Sequence, residues 1–156
     1  MSPVVRPTTI GGLLIRRLEA LDARVCELLE AQNMCTVSTF GRDGSIHSQP
    51  VWVDTDGEHV LLNTVGGRAW VRNLERNPRL TCNVLNLENP YEFVEIRGRS
   101  SAPTREGADE HIHRLARKYL GLDEYPWMAP DQPRLLLRVT PERVVHMYPG
   151  DAELSR

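Results

Sequence analysis

The clearest potential for chemistry lies where a glycine pair, Gly66 and Gly67, is followed by three arginines. Arg68, Arg72 and Arg76 stand four residues apart, a spacing that places their guanidinium groups on one side of a helix. Backbone N–H groups at a helix start, the helix dipole and bidentate arginine all favour phosphate oxygens. The segment therefore predicts an anion site. The alternative is a tight turn followed by a solvent-exposed basic helix face.

A strand-like segment before this region carries a second group of candidates. His47 and Gln49 lie on one side of the strand, where both could reach the same ligand. Pro50 cannot donate a ladder hydrogen bond, so the strand has an edge, a bulge or a bend there, and a bend frees backbone groups. Trp52 could lie beside a flat ring. Core packing is the alternative for Trp52 and for Trp70.

Other kinds of catalytic site find little support. The three cysteines have no local histidine partner and lie among apolar residues, which do not activate a thiol. Asp109 and His113 stand one helical turn apart, but metal sites need three or four ligands. The chain has no P-loop, no dinucleotide-binding glycine motif and no serine-hydrolase motif. We therefore predict no catalytic side chain and no metal site.

The composition is that of an ordinary globular domain, with 156 residues of which 40% are hydrophobic and 26% charged. A net charge of −2 argues against nucleic acid as a partner, because neutralising phosphates needs surplus Lys and Arg. No apolar stretch reaches membrane-spanning length and the N-terminus lacks a signal-peptide pattern. An odd number of cysteines without CxxC spacing fits a reducing compartment. We expect no membrane partner and a cytoplasmic location.

The hydrophobic pattern predicts the elements that position the candidate residues. Apolar residues recur at spacings of four and three from position 14, which predicts a helix ending near Ala31. A second helix contains the three arginines, and Thr104 is expected to cap a third that runs to about Tyr119. The predicted strands cover residues 34–40, 45–53, 58–64, 79–85, 91–101, 134–140 and 144–148. The first three strands would form an antiparallel meander. Together these elements predict a small α+β barrel.

The order of motifs over residues 36–80 resembles a known family. The segments T-V-S-T, P-V-W-V, L-L-N-T and G-R-A-W-V-R-N-L-E-R-N-P-R-L are similar to the flavin and deazaflavin oxidoreductases of the pyridoxamine 5'-phosphate oxidase-like, FMN-binding split-barrel superfamily. The later segments V-E-I-R-G-R-S and Y-L-G…Y-P-W resemble the actinobacterial branch that uses the deazaflavin coenzyme F420. We expect an α+β split β-barrel of six to seven antiparallel strands, Greek-key-like, with flanking helices. It would occupy residues 14–150, between a loose N-terminal segment, 1–13, and a C-terminal tail, 151–156.

The resemblance implies a homodimer with two cofactor sites at the subunit interface and hydride transfer between reduced F420 and a small conjugated substrate. FMN is the alternative cofactor, and a cofactor-binding dimer without catalysis is the alternative function. The residues expected to line the ring are His47, Gln49, Pro50, Val51 and Trp52. Those expected near the ribityl-phosphate arm are Asn63, Thr64, Gly67, Arg68, Trp70, Arg72 and Asn73. Tyr91 and Phe93 would come from the partner chain.

Trp70 departs from the family pattern. Two residues after Arg68 most members have a lysine on the phosphate, whereas tryptophan carries no charge. The indole ring can stack and its N–H can donate, and we expect Arg68 and Arg72 to compensate for the lost cation. The loss of one charge-assisted hydrogen bond is worth about 1.5–3 kcal/mol, or about ten- to a hundredfold in affinity.

Overall fold

The computed structural model describes residues 7–150 as a nine-stranded antiparallel sheet with three helices. The strands are β1 (Thr8–Ile10), β2 (Leu13–Leu18), β3 (Cys35–Phe40), β4 (Ile46–Val51), β5 (Asp54–Thr55), β6 (Val60–Val65), β7 (Arg79–Leu85), β8 (Phe93–Ser100) and β9 (Arg134–Pro149). The helices are α1 (Ala23–Glu30), α2 (Ala69–Arg76) and α3 (Ala108–Leu120). The predicted α+β class is confirmed, with nine strands instead of six or seven.

The two ends of the chain bear on the predicted domain limits. Residues 1–6 and the predicted tail, 151–156, lie outside the described residues. Within the segment 1–13 that the sequence predicts to be loose, residues 8–10 form β1 and pair with β2. None of the described helices is both long enough and apolar enough to cross a membrane.

The barrel is built around β9. Its residues 134–139 pair with β6, residues 139–147 with β8 and residues 144–149 with β2. From β8 the sheet continues through β7 and β3 to β4, which is an edge strand. Pro50 lies in β4, so its predicted edge position is confirmed. The two strands predicted at 134–140 and 144–148 are one continuous strand, which passes through Pro141 opposite Gly98.

The predicted helix from residue 14 to Ala31 is wrong in its first half. Residues 13–18 form β2, which pairs with the end of β9, and only residues 23–30 are helical. Asp22 starts the helix, because its carboxylate accepts a hydrogen bond of 2.9 Å from the backbone N–H of Val25. Leu14 and Leu18 are half-buried in the sheet. Tertiary pairing with β9 therefore overrides a helical apolar spacing.

Two further predictions of local structure are wrong. β6 pairs with β5 and β9 rather than with β4, so the first three predicted strands do not form a meander. α3 begins at Ala108, after Gly107, whose φ of 74° is in the left-handed region that glycine tolerates. Thr104 does not cap this helix. It forms an isolated bridge with Leu136, with N–H to O distances of 3.0 and 2.8 Å.

The main core lies between the barrel wall and two of the helices. The helical side chains in it are Val25, Leu28 and Leu29 from α1 and Trp70, Val71 and Leu74 from α2. Trp70 is only 1% exposed, so core packing describes its environment. α3 packs on a separate small cluster, in which Ala108 meets Leu61 of β6 and Leu136 of β9. α2 and α3 thereby frame the C-terminal end of β6.

Candidate functional site

A cleft of about 280 Å³ lies where the ends of β4 and β6 meet the start of α2 and one face of α3. Eight predicted cofactor-binding residues line it: Gln49, Pro50, Val51, Trp52, Asn63, Thr64, Arg68 and Trp70. Six other residues complete the lining: Met34, Ile112, Leu115, Tyr125, Trp127 and Arg134. Within the part of the chain that the structure describes, the lining includes no carboxylate, imidazole, thiol or lysine side chain. Residues 7–150 also contain no group of three or more potential metal ligands.

One wall of the cleft is aromatic. The rings of Trp52 and Tyr119 are stacked, with centroids 5.0 Å apart and planes 7° apart. Tyr125 meets the Trp52 ring edge-on at 6.1 Å, and Trp127 meets Tyr125 edge-on at 5.5 Å. The Tyr125 loop is attached to α3, since the Tyr125 backbone N–H donates to Nδ1 of His113 at 2.9 Å. Such a wall can hold a flat conjugated ring.

Two arginines, Arg68 and Arg134, also line the cleft, and the guanidinium carbon of Arg134 lies 5.0 Å from the centre of the Tyr125 ring. Neither Arg68 nor Arg134 lies within 4 Å of a carboxylate oxygen in the described residues. Burial lowers the pKa of Arg134; Tyr125 opposes this shift and the nearby Arg68 guanidinium adds to it. Arg134 nevertheless stays protonated at neutral pH, because arginine loses its proton only far above it. The cleft therefore carries positive charge that is not paired directly with a carboxylate of the described residues, although the Asp109 carboxylate acts on Arg134 from farther away.

Asn63 uses its amide to hold neighbouring parts of the protein. Its Oδ1 accepts a hydrogen bond of 2.8 Å from Nε of Arg134. Its Nδ2 donates to the carbonyl oxygen of Ala108 at 2.8 Å and lies 3.1 Å from Nδ1 of His111. Because the amide is engaged on both sides, Asn63 orients Arg134 and connects it to α3.

A buried carboxylate lies behind this amide. Nε2 of His111 is 3.5 Å from Oδ2 of Asp54, an ion-pair distance that lacks hydrogen-bond geometry. Burial raises the pKa of Asp54, but the His111 ring, a backbone N–H and the Arg114 guanidinium outweigh it and lower the pKa to about 2. Asp54 is therefore ionised at neutral pH. A series of polar contacts thus leads from the barrel to the cleft, through Asp54, His111, Asn63 and Arg134.

Trp70 lines the cleft while belonging to the core. Its indole N–H is buried and has no acceptor among the described residues. A buried donor without a partner costs about 1–3 kcal/mol, so this position favours an acceptor from outside the protein. An oxygen atom of a ligand in the cleft would supply one.

Six predicted cofactor-binding residues do not line this cleft: His47, Gly67, Arg72, Asn73, Tyr91 and Phe93. His47 lies beside Gln49 on β4, with Nε2 3.5 Å from Oε1. Asn73 is buried and joins α2 to β3, because its Nδ2 donates to Oγ1 of Thr39 at 3.0 Å. Gly67 forms the turn before α2 with a φ of 85°, which favours glycine.

The three arginines do not form a single basic face. Arg68 precedes the first helical residue of α2 and lines the cleft. Arg72 is exposed on the helix, and Arg76 donates from Nη2 to Oδ1 of Asn73 at 2.5 Å. Tyr91 is 65% exposed in the loop before β8.

Arg134, Tyr125 and Trp127 are site residues that the sequence analysis does not identify. The Y-P-W motif is the available sequence signal for Tyr125 and Trp127. Because the motif lies in a loop, the sequence does not indicate where in the fold these two side chains lie. Nothing in the local sequence marks Arg134. It reaches the cleft because the register of the β6–β9 pair places it opposite Val65.

Comparison with protein-family models gives a match to "Pyridoxamine 5'-phosphate oxidase" over residues 21–148. No curated protein is similar enough in sequence to be matched.

Several solved structures share the fold. One named F420 reductase is 24% identical, with 76% of this chain and 93% of that chain covered and a TM-score of 0.66. A conserved hypothetical protein from Mycobacterium tuberculosis is 20% identical, with 80% and 82% covered and a TM-score of 0.61. A putative pyridoxamine 5'-phosphate oxidase from Listeria innocua is 17% identical, with 78% and 93% covered and a TM-score of 0.60. These likenesses confirm the predicted split-barrel fold.

Proposed function

Because this chain belongs to the pyridoxamine 5'-phosphate oxidase family, we propose that its cleft binds the deazaflavin coenzyme F420 and that the protein is an oxidoreductase. The proposed reaction is hydride transfer between reduced F420 and a small conjugated substrate. One observation carries the proposal: a single cleft combines an aromatic wall with two arginines that form no ion pair with a carboxylate of the described residues. A solved structure of similar fold named F420 reductase supports the choice of coenzyme.

The residues of the cleft fit such a ligand. Trp52 and Tyr125 offer ring faces and edges to a conjugated ring system. Arg68 and the start of α2 offer charge and backbone donors to a phosphate. The unpartnered indole N–H of Trp70 would find an acceptor there. When bound, the coenzyme supplies the hydride chemistry, and the protein supplies position and electrostatics.

The chain's own residues would act by binding and orientation. Gln49 and the backbone from Pro50 to Trp52 lie where they could meet the ring edge. Among residues 7–150 the lining holds no carboxylate, imidazole, thiol or lysine, and the Tyr125 phenol is its one group that could act as a general acid or base, which supports a reaction that depends little on side-chain proton transfer. Trp127 and Tyr125 would shield the reacting face from water, because their loop covers one side of the cleft.

We further propose that the protein is a cytoplasmic homodimer. Tyr91 and Phe93 do not line their own cleft, which supports a role for them in the cleft of a second copy. Ile46, on the edge strand β4, is 70% exposed and would be covered in a dimer. A volume of about 280 Å³ is at the lower end of ligand sites, so a second chain would complete the walls. The three free cysteines agree with a reducing compartment.

Titration of the purified protein with F420 and with FMN, followed by ligand fluorescence, tests the proposal. We expect micromolar or tighter binding of F420 and a loss of about tenfold or more in Arg68→Gln. Arg72→Gln is the matched control, because Arg72 belongs to the same series but is exposed outside the cleft. Failure to bind either cofactor at micromolar concentrations would overturn the proposal. Light scattering at the same concentrations measures the oligomeric state.

FMN is the second candidate cofactor. The pair of arginines favours it, since a phosphate monoester carries a charge near −2 at neutral pH. Tighter binding of FMN than of F420 in the same titrations would select it.

A cofactor-binding protein without catalysis is the remaining candidate. The absence of a carboxylate, imidazole, thiol or lysine from the described lining is compatible with it. Rapid mixing of the reduced complex with a series of small conjugated acceptors separates the two functions. Reoxidation no faster than that of the free reduced cofactor would select binding alone.

A further inference from the structure

We propose that Arg134 is a phosphate-binding residue of the cleft and supplies the cation that Trp70 does not. The inference rests on the proposed function in one respect, namely that the cleft takes a ring system with a phosphate arm. It adds a ligand-binding residue from a strand far away in sequence.

The register of the sheet places Arg134 next to the predicted anion site. Its Cα pairs with that of Val65, the last residue of β6. The turn of Gly66 and Gly67 follows directly, and Arg68 comes after it. Arg68 and Arg134 both line the cleft, so two arginines from different elements border it, and their charges are close enough to interact.

Arg134 is held with its terminal nitrogens available. Its Nε donates to Oδ1 of Asn63 at 2.8 Å, and its guanidinium carbon lies 5.0 Å from the centre of the Tyr125 ring. These two contacts fix the plane of the group. Tyr125 is the one other described side chain that hydrogen-bonds near this guanidinium, and it raises the pKa of Arg134, so further N–H groups are left for a ligand. A guanidinium oriented through Nε presents its remaining N–H groups in the fork geometry that matches two phosphate oxygens.

Charge and hydrogen bonding at the site point to the same ligand chemistry. The two arginines repel one another, and no carboxylate of the described chain lies within 4 Å of either. A phosphate between them would remove this repulsion. The buried indole N–H of Trp70 would donate to a further oxygen. Arg68, Arg134 and Trp70 would thus provide two charged donors and one neutral donor.

A comparison of ligands with and without phosphate tests this role. Dissociation constants of FMN and riboflavin, and of F420 and its ring system lacking the phosphate arm, are measured for the wild type and for Arg134→Gln. We expect the variant to bind the phosphate-bearing ligands about ten- to a hundredfold more weakly and the phosphate-free ligands within about threefold of wild type. The pair of ligands that shows the effect identifies whether the phosphate belongs to FMN or to F420.

Arg76→Gln is the matched control. Arg76 also donates to an asparagine Oδ1, that of Asn73, but does not line the cleft. We expect it to leave all four dissociation constants unchanged. An equal loss for ligands with and without phosphate in Arg134→Gln, or no loss at all, would overturn the role of Arg134 while leaving the proposed function standing.

If the wild type binds neither cofactor, the proposed function is overturned. A second measurement then tests the role of Arg134 in phosphate binding independently. The ¹H–¹⁵N signals of the Arg134 Nε–H and the Trp70 indole N–H, assigned with Arg134→Gln and Trp70→Phe, are followed during titration with inorganic phosphate. We expect both to shift in the wild type and the Trp70 signal to stop responding in Arg134→Gln. An unshifted Arg134 signal, or a Trp70 response that persists without Arg134, would overturn the inference.

Discussion

The Trp52 ring lies parallel to the Tyr119 ring, with centroids 5.0 Å apart. Tyr119 is held at its hydroxyl, which donates to the carbonyl oxygen of Asn33 at 2.5 Å and accepts from the backbone N–H of Val53 at 3.2 Å. Burial raises the pKa of Tyr119 to about 12, so the hydroxyl remains a donor at all physiological pH values. The aromatic wall of the cleft is therefore attached to the backbone through one hydroxyl.

Removal of the Tyr119 hydroxyl should destabilise the aromatic wall of the cleft. In Tyr119→Phe the backbone groups of Asn33 and Val53 lose a partner, and we expect the free energy of unfolding in urea to fall by about 1–2 kcal/mol. Tyr91→Phe is the control, because Tyr91 is exposed and we expect its hydroxyl to contribute little. Equal stability of Tyr119→Phe and wild type would contradict this account.

A second polar cluster, away from the cleft, surrounds Glu92, which is 6% exposed. Its carboxylate accepts hydrogen bonds from Arg24, from Nε2 of His146 at 2.8 Å and from Nδ2 of Asn86 at 3.0 Å. Burial raises the pKa of Glu92, but these partners outweigh it and lower the pKa to about 2. The cluster joins α1, the loop before β8 and β9.

The Glu92 cluster predicts a loss of stability in acid. The folded-state pKa is below the unfolded value of 4.5, so the stabilisation is complete above that pH and is lost as the pH falls toward 2. The loss for this one group should be about 2–3 kcal/mol. Urea unfolding at a series of pH values should show a shallower acid slope in Glu92→Gln than in wild type. Glu88→Gln, an exposed change in the same loop, should keep the full slope.

Gly98 should tolerate no side chain. A Cβ at this position would lie 2.2 Å from the carbonyl oxygen of Thr140 on β9, too close for any side chain. We expect Gly98→Ala to lower the free energy of unfolding by about 1–3 kcal/mol or more, because the bulged β8–β9 pair must separate. Gly66→Ala is the control, since its nearest neighbour would be 3.8 Å away and its φ is not positive. Similar stability of the two variants would disprove the steric account.

Lys118 is the only lysine of the chain, so its titration can be followed by NMR without overlap from other lysines. Its Nζ donates to the carbonyl oxygens of Leu29 at 2.7 Å and Val53 at 2.6 Å. Burial lowers the pKa of Lys118 to about 8, although the Asp54 and Glu30 carboxylates act the other way. The single lysine ¹³Cε resonance should therefore titrate near pH 8 in the folded protein and near about 10.4 in urea.

The sign of the Lys118 effect on stability follows from the same shift. The unfolded chain binds the lysine proton more tightly, so the contribution of Lys118 to stability rises with pH between about 8 and 10.4. A folded-state midpoint near the unfolded value would contradict the burial of the charge.

Local sequence rules predict the parts of the site that lie within a few residues of one another. The glycine turn, α2 and the edge position of Pro50 follow from residue types and spacing, and Arg68 and Trp52 lie in the cleft. The same rules misread β2 as helix, because Leu14 and Leu18 stand four residues apart, a spacing that puts two side chains on one face of a strand as well as of a helix.

Features of the site that depend on residues far apart in sequence can be identified only from the three-dimensional structure. Arg134 enters the site only through strand register, 69 residues after Val65 in sequence. Asn63, a residue expected to contact a phosphate, is instead engaged by Arg134 and α3. The hydrogen-bond partners of the Asn63 amide cannot be predicted from the sequence without knowing how β6 pairs with β9.

The continuity of β9 has a consequence for how the molecule opens. Three strands depend on this one segment for their hydrogen bonds: β2, β6 and β8. Loss of β9 from the sheet would therefore separate all three of these strands from their shared neighbour at once. Release of β9 amounts to global unfolding, and its backbone amides should be among the last to exchange with deuterated solvent.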